Sequence, residues 1–190
     1  MTPDQVTGLI LAGGKATRLG GVDKRQLVIA GRTIFERQVE ALAPCVAEIL
    51  VSSRADVPGY RTVRDPVADV GPLGGIAAGL AAAATPWLFV LAGDMPGVHR
   101  ALVELVLSHG DADSDAVGIR IGNRPEPLCS ALRVAVWRPI VSARIAARVL
   151  RASALLGERH VRVRWIEEAS VRAIDPSLQS LRNVNSPEDL

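Results

Sequence analysis

Residues 11–24 read Leu-Ala-Gly-Gly-Lys-Ala-Thr-Arg-Leu-Gly-Gly-Val-Asp-Lys and follow directly on the apolar run Val6–Leu11. Such a run is typical of a buried strand. The segment after it carries four glycines and three cations. Glycine lets backbone N–H groups turn towards a bound group with no Cβ in the way, and cations on the same loop favour an anion there. We therefore expect a strand followed by a phosphate-binding loop.

Two common phosphate loops are excluded by spacing. A Walker A loop needs Gly-x-x-x-x-Gly-Lys followed by Ser or Thr, and no register of this chain supplies it. The dinucleotide fingerprint needs Gly-x-Gly-x-x-Gly, but no two glycines in the chain are separated by a single residue. The loop is therefore expected to hold a polyphosphate through neither of these two motifs.

The rest of the first half alternates strand and helix patterns. A capping box at Thr33–Glu36 opens one helix, small residues over Gly75–Ala84 form a second, and Leu102, Leu105 and Val106 mark a third. Short apolar strands are predicted at Val6–Leu11, Glu48–Ser52, Tyr60–Val63 and Trp87–Ala92. This alternation predicts an α/β fold with one domain over residues 1–190, a Rossmann-like, mostly parallel sheet flanked by helices on both faces.

The second half is less regular. Pro125 and Pro127 are expected to break the chain before an apolar stretch, Leu128–Leu132, that is a candidate strand. Pro139–Ala152 is predicted as a helix with proline in its first turn. Apolar residues and arginines alternate over Val161–Trp165, which indicates a strand with one solvent-exposed face at a sheet edge.

Two aspartates follow predicted strands and are candidate site residues. Asp94 comes after Trp87–Ala92, where a carboxylate opposite a phosphate loop could hold Mg²⁺, although a turn aspartate capping the next helix fits equally well. Asp65 precedes Gly71–Ile76, whose glycines would bring a helix N-terminus close to a ligand. A flexible loop with a turn aspartate is the alternative there.

Composition narrows the function classes. The net charge of +2 and the six aromatics among 190 residues give no basic, aromatic surface for nucleic acid. No apolar run is long enough to span a membrane, and the N-terminus lacks the regions of a signal peptide, so we expect a cytoplasmic protein. Cys45 and Cys129 have no neighbours at metal-ligand spacing and are expected to be two reduced thiols. This composition favours catalysis on a small anionic substrate.

The loop Leu-Ala-Gly-Gly-x-x-x-Arg-x-Gly-Gly-x-Asp-Lys resembles the signature of the molybdenum cofactor guanylyltransferases, within the nucleoside-triphosphate nucleotidyltransferase superfamily. Three further motifs are similar to the same family: Gly-Pro-Leu-x-Gly-Ile at 71–76, Asp-Met-Pro at 94–96, and Asn-x-Asn-Ser-Pro-Glu-Asp at 183–189. The last of these also has the pattern of a helix start at Ser186. Together the motifs span almost the whole chain.

The resemblance implies a nucleotide-diphospho-sugar transferase-like fold, with a nucleotide-binding half at about 1–98 and an acceptor-binding half at about 99–190. It implies GTP and molybdopterin, or the molybdenum cofactor, as substrates, Mg²⁺ as cofactor, and transient contacts with cofactor-biosynthesis proteins and molybdoenzymes. The catalytic residues it implies are Arg18, Lys24 and Asp94, with Asp94 also the metal ligand. The substrate-binding residues it implies are Leu11, Ala12, Gly13, Gly14, Lys24, Ser52, Asp65, Gly71, Gly75, Asp94, Asn183 and Asn185.

Two positions depart from the family pattern. Ser52 stands where the best-known members commonly carry Asn, and Glu126 stands where many carry the His of a His-Pro pair. Two alternatives stay open beside guanylyl transfer, and these departures bear on the second of them. One is a cytidylyltransferase acting on the same cofactor, and the other is an inactive nucleotide-binding or carrier module of the same fold.

Overall fold

The computed structural model describes residues 1–13 and 26–184, and its centre is a seven-stranded sheet. The strand order is β5-β4-β1-β6-β8-β7-β9, and β2 pairs with β3 in a separate hairpin. The strands are β1 Val6–Leu11, β2 Val28–Ile29, β3 Arg32–Thr33, β4 Glu48–Ser52, β5 Arg61–Val63, β6 Trp87–Ala92, β7 Ala116–Ile121, β8 Arg124–Arg133 and β9 Val163–Glu167.

The four strands from β5 to β6 run parallel to one another, as the sequence predicts. β8 is antiparallel to both β6 and β7, and β9 pairs in parallel with β7 at the edge of the sheet. The carboxyl ends of β5, β4, β1, β6, β7 and β9 therefore lie at one edge of the sheet, together with the beginning of β8. Ligands of open α/β sheets bind along such an edge.

Helices cover both faces of this sheet. The helices are α1 Ile34–Leu42, α2 Pro72–Ala82, α3 Arg100–Ser108, α4 Val134–Ala146 and α5 Glu168–Arg172. One hydrophobic cluster joins α1 and α3 to the sheet, and a second joins α2 and α4 to the opposite face. β1 contributes to both, because Ile10 belongs to the first cluster and Leu9 to the second. The predicted fold class is confirmed.

The helix predicted at Pro139–Ala152 is misplaced. The observed helix α4 starts at Val134, whose N–H donates to the Pro86 carbonyl at 2.9 Å, so Pro139 lies inside the helix instead of in its first turn. The helix ends early because Arg148 takes a left-handed conformation with φ of 57°. The two cysteines are free, as expected, and both are buried.

The predicted chain break at Pro125 and Pro127 is also wrong. Both prolines lie within β8, where the pairing with β7 shifts between Gly118 and Ile119. Proline is tolerated in a strand at such an irregularity, because its missing N–H interrupts no regular ladder. β7 itself and the β2–β3 hairpin were not predicted from the sequence.

The segment 179–184 packs against the chain that follows β6. A Cβ at Gly97 would lie only 2.2 Å from the Gln179 carbonyl oxygen, so the two backbones touch. The Val184 N–H donates to the Asp94 carbonyl at 2.8 Å. Among the helices described, none is long and apolar enough to cross a membrane.

Gly97→Ala is expected to lower the free energy of unfolding by about 1–3 kcal/mol, because the added methyl group must push two backbones apart. Gly157→Ala is the matched control, since a Cβ there would meet no heavy atom within 4 Å. The control should stay within about 0.5 kcal/mol of the parent protein. Urea unfolding measures both, and equal stability of the two variants would contradict this packing.

Candidate active site

A cavity of about 590 Å³ opens beyond the carboxyl ends of β4 and β5. Its volume lies within the range of small-molecule sites, roughly 300–1,000 Å³. Its walls combine small residues with two arginines and two aspartates: Gly13, Ser53, Arg54, Arg64, Asp65, Ala68, Asp69 and Gly71. Three of these residues, Gly13, Asp65 and Gly71, were predicted from the sequence. We call this space the nucleotide cavity, after the ligand that is proposed for it below.

Ser52 and Asp65 are joined by a hydrogen bond, and Asp65 lines the nucleotide cavity. Ser52 is 2% exposed, and its hydroxyl donates to the Asp65 Oδ1 at 3.3 Å. Partial burial raises the pKa of the Asp65 carboxyl group, while the Ser52 hydroxyl and the charge of Arg54 act in the opposite direction. Burial thus removes part of the solvation of this carboxyl group, which favours a ligand with N–H donors.

Helix α2 approaches this pair very closely. A Cβ at Gly75 would lie 2.5 Å from the Ser52 Oγ, and one at Gly74 would lie 2.7 Å from the Asp65 Oδ2. The helix starts after Gly71, whose φ of 63° is a conformation that side chains disfavour. Glycine at these positions therefore lets the helix N-terminus, with its outward N–H groups, stand beside the Asp65 carboxyl.

β1 connects the nucleotide cavity to Asp94. The Ala12 N–H donates to the Ser52 carbonyl at 2.9 Å, and the Gly93 N–H donates to the Leu11 carbonyl at 3.1 Å. A Cβ at Gly93 would lie 2.5 Å from the same Leu11 oxygen, so this approach requires glycine. Asp94 thus lies at the end of the strand next to β1, partly buried, on the same edge of the sheet.

The turn that carries Asp94 is held from two sides. From α1, the fully buried Gln38 donates through its Nε2 to the Ala92 carbonyl at 2.7 Å and the Met95 carbonyl at 3.2 Å. From the other side, Val184 bonds to the Asp94 carbonyl and so brings Asn183 beside the turn. Sequence reasoning missed Gln38, although a polar residue on the apolar face of a helix was a signal for it.

The structure brings together most of the predicted site residues that it describes. Gly13, Asp65 and Gly71 line the nucleotide cavity, and Leu11, Ala12, Ser52 and Gly75 pack around the Ser52–Asp65 pair. Asp94 and Asn183 lie at the turn after β6, on the same edge of the sheet. Gly14, Arg18, Lys24 and Asn185, with the helix start at Ser186, lie outside the described residues.

Arg54 and Arg64 are site residues that the sequence reasoning missed. Both follow predicted strands closely, which was the available signal, but no motif contains them. Arg64 pairs with Asp56 at 2.6 Å and donates to the Arg54 carbonyl at 3.5 Å, so the two loops beyond β4 and β5 are linked. They supply positive charge to the cavity wall.

A metal at this site would need ligands from a substrate. Within residues 1–13 and 26–184, no group of three or more His, Cys, Asp or Glu side chains could hold an ion. Mg²⁺ nevertheless binds commonly through one or two carboxylates together with phosphate oxygens and waters. A single carboxylate at Asp94 fits that mode of binding and does not fit a metal held by the protein alone.

The fold and this edge define an open α/β protein with a ligand-sized cavity beyond the carboxyl ends of its strands, and comparison with known proteins identifies its family. The family model for the MobA-like NTP transferase domain matches residues 8–165. A protein named molybdenum cofactor guanylyltransferase from Pseudomonas putida (strain KT2440) is 34% identical, over 96% of this chain and 94% of its own length. One named probable molybdenum cofactor guanylyltransferase from Methanosarcina acetivorans is 31% identical, over 97% and 88%.

A solved structure has the same fold. The crystal structure of molybdopterin-guanine dinucleotide biosynthesis protein A from Archaeoglobus fulgidus superposes with a TM-score of 0.78 at 23% identity, covering 96% of this chain and 94% of that one. The chain therefore belongs to the MobA-like NTP transferase family and is a nucleotidyltransferase.

Gln38→Leu is expected to destabilise the protein by about 1–3 kcal/mol, because the carbonyls of Ala92 and Met95 lose their donor. Gln179→Leu serves as the control, since Gln179 is exposed and its side chain makes no hydrogen bond within the described part of the chain. Thermal or urea unfolding of both variants checks this, and a Gln38 variant as stable as the control would show that the turn does not need this side chain.

Proposed function

We propose that the protein transfers GMP from GTP to the terminal phosphate of molybdopterin, with or without bound metal. The products are pyrophosphate and the guanine dinucleotide form of the cofactor. The observation that carries the proposal is the convergence of Gly13, Ser52, Asp65 and Asp94 on one sheet edge, in a chain whose relatives are named for this reaction. Residues up to about 98 would bind the nucleotide, and residues 99–190 would bind the acceptor.

Asp65 is the candidate for selecting guanine. A guanine base offers two adjacent donors, its ring N–H and its 2-amino group, and a carboxylate has two acceptor oxygens. The Asp65 carboxyl lies in the nucleotide cavity and is held by the Ser52 hydroxyl. Cytosine offers one amino donor on its pairing edge, so the same carboxylate would bind it less well.

The phosphates would extend from this cavity along the end of β1. Gly13 lines the cavity just beyond the end of β1, and Gly14, Arg18 and Lys24 follow it in the sequence. Backbone N–H groups and these cations would neutralise the phosphate charge. Asp94 would hold Mg²⁺ together with the substrate, and the bound ion would supply stabilisation of the charge that develops during the transfer.

The reaction needs no side-chain nucleophile. An oxygen of the acceptor phosphate forms a bond to the α-phosphorus of GTP, and the bond from that phosphorus to the pyrophosphate oxygen breaks. The protein's contribution is to hold the two substrates in line and to offset the repulsion between their charges. Asn183 and Asn185 would hold the acceptor, since a carboxamide can both donate and accept.

Asp94→Asn is expected to reduce turnover by at least about a hundredfold, because it removes the metal carboxylate while keeping the shape of the turn. Pyrophosphate release from GTP, Mg²⁺ and molybdopterin measures it, and Lys24→Ala should cause a comparable loss. Asp113→Asn is the control, because the Asp113 side chain is 92% exposed. Circular dichroism shows whether each variant is folded. Near-normal pyrophosphate release by Asp94→Asn or Lys24→Ala would refute the proposed roles of these residues in guanylyl transfer.

Asp65→Asn is expected to weaken GTP binding about tenfold, because the amide offers one acceptor where the carboxylate offers two. CTP binding should change much less, so the preference for GTP narrows. Isothermal titration with each nucleotide checks both statements, again beside Asp113→Asn. A parent protein that binds and uses CTP better than GTP would replace the guanylyltransferase assignment with the cytidylyltransferase one. A protein that binds GTP but releases no pyrophosphate would instead be a carrier module.

A further inference from the structure

A second cavity, of about 390 Å³, lies between the β7–β8 turn and the segment 172–182. We call it the hairpin cavity. Its apolar wall includes Ile121 and Leu181, both of which pack against the core. Its polar wall includes Arg124, Glu126, Arg172 and Arg182. None of these residues belongs to the nucleotide cavity.

The hairpin cavity opens on the same sheet edge as Asp94. β8 is antiparallel to β6 with Leu91 opposite Cys129, so the residues of β8 before Cys129 lie where β6 ends. Glu126 and Arg124 are those residues, and Asp94 follows the end of β6. In the strand order, the nucleotide cavity lies on one side of β6 and the hairpin cavity on the other.

The C-terminal segment confirms that the two places are close. Arg182 lines the hairpin cavity, and Val184 bonds to the Asp94 carbonyl. Two residues of chain span at most about 7 Å. A substrate in the hairpin cavity could therefore place a phosphate group beside Asp94 without being a long molecule.

The charged side chains of the hairpin cavity suit an anionic ligand that also carries N–H hydrogen-bond donors. Arg172 is engaged by Glu168 and the Pro176 carbonyl, at 2.7 and 2.5 Å. The guanidinium groups of Arg124 and Arg182 make no hydrogen bond or ion pair within residues 1–13 and 26–184. They leave positive charge available to a ligand.

Glu126 is the unusual member of the wall. It is half-buried, and its carboxyl group makes no hydrogen bond to any residue that the structure describes. Burial raises the pKa of this carboxyl group, and the charge of Arg124 opposes the rise. Partly buried polar groups normally have partners, so a carboxyl group in this position is suited to accept hydrogen bonds from a ligand.

We infer that the hairpin cavity binds the heterocycle of the acceptor, with Glu126 accepting from the 2-amino and ring N–H groups of a pterin. Arg124 and Arg182 would face the acceptor's anionic groups, while Ile121 and Leu181 contact its ring. The inference rests on the proposed function, because it locates that reaction's second substrate. The guanine of GTP carries the same pair of N–H donors as a pterin, so a test must distinguish binding of the acceptor from binding of GTP.

Glu126→Gln tests the assignment, because it keeps the size of the side chain and removes one acceptor. Pterin-6-carboxylate is a stable fluorescent probe with the pterin edge and an anionic group. We expect its dissociation constant to rise about tenfold in Glu126→Gln, and similarly in Arg182→Ala, since each change removes hydrogen bonds to a charged group. The controls are Glu104→Gln and Arg159→Ala, both exposed and outside the cavity.

Steady-state kinetics give the second readout. In both cavity variants the KM for molybdopterin should rise about tenfold, while the KM for GTP changes less than about twofold. Unchanged pterin binding, or a GTP KM that rises as much as the molybdopterin KM, would overturn the inference. Release of pyrophosphate with a parent-like molybdopterin KM would overturn the inference and leave the proposed function intact. Pterin binding that depends on Glu126 in a protein releasing no pyrophosphate would support the cavity and refute the proposed function.

Discussion

Strand β1 forms hydrogen bonds with β4 on one side and β6 on the other, and both neighbours run parallel to it. In that register Leu11 is level with Ser52 and with Ala92, so three strands end in one row. Each strand is followed by a residue or segment of the site. The position of Asp94 relative to the nucleotide cavity depends on this alignment, because both lie just beyond the ends of aligned neighbouring strands.

Close backbone approach is the second constraint, and it explains the glycines. Gly75 lets α2 lie against Ser52, and Gly93 lets the turn after β6 lie against the Leu11 carbonyl. A methyl group at either position would come within about 2.5 Å of an oxygen atom, which packed structures do not accommodate without movement. The glycines therefore fix how near Asp65 and Asp94 stand to β1, although neither glycine is itself a reactive group.

Much of this fold was predictable because its central strands are buried on both faces. β1, β4 and β6 are continuous apolar runs ending in polar or glycine residues, and their bounds agree with the prediction. β7 and β8 were harder, since Arg120 and the prolines of β8 obscure the pattern. Their pairing depends on a register shift that only the assembled sheet reveals.

The candidate site likewise contains residues whose proximity could be predicted from the sequence and residues whose proximity could not. Ser52 ends β4, and Asp65 and Asp94 lie two residues after β5 and β6, so the parallel sheet alone predicts that they lie along one edge. Glu126 and Arg182 are 56 positions apart in the chain and carry no shared motif. They come together because β8 runs antiparallel to β6 and because the segment 179–184 packs on the turn after β6. Sequence spacing contains neither fact.

Each of the two cavities contains arginines and a carboxyl group whose pKa is raised by burial, Asp65 in one and Glu126 in the other. The arginines and the carboxyl groups act on a ligand in different ways. Arginines draw any anion to the edge, since their charge persists at every physiological pH. The carboxyl groups of Asp65 and Glu126 have raised pKa values because burial removes water from them, so ionising each costs free energy in the protein alone. A heterocycle that donates two N–H hydrogen bonds to the carboxylate offsets this free-energy cost, whereas a phosphate has no such donors and cannot. Under the proposed function, the charges of the substrates would govern their association rates. The carboxyl groups of Asp65 and Glu126 would govern which heterocycles bind tightly.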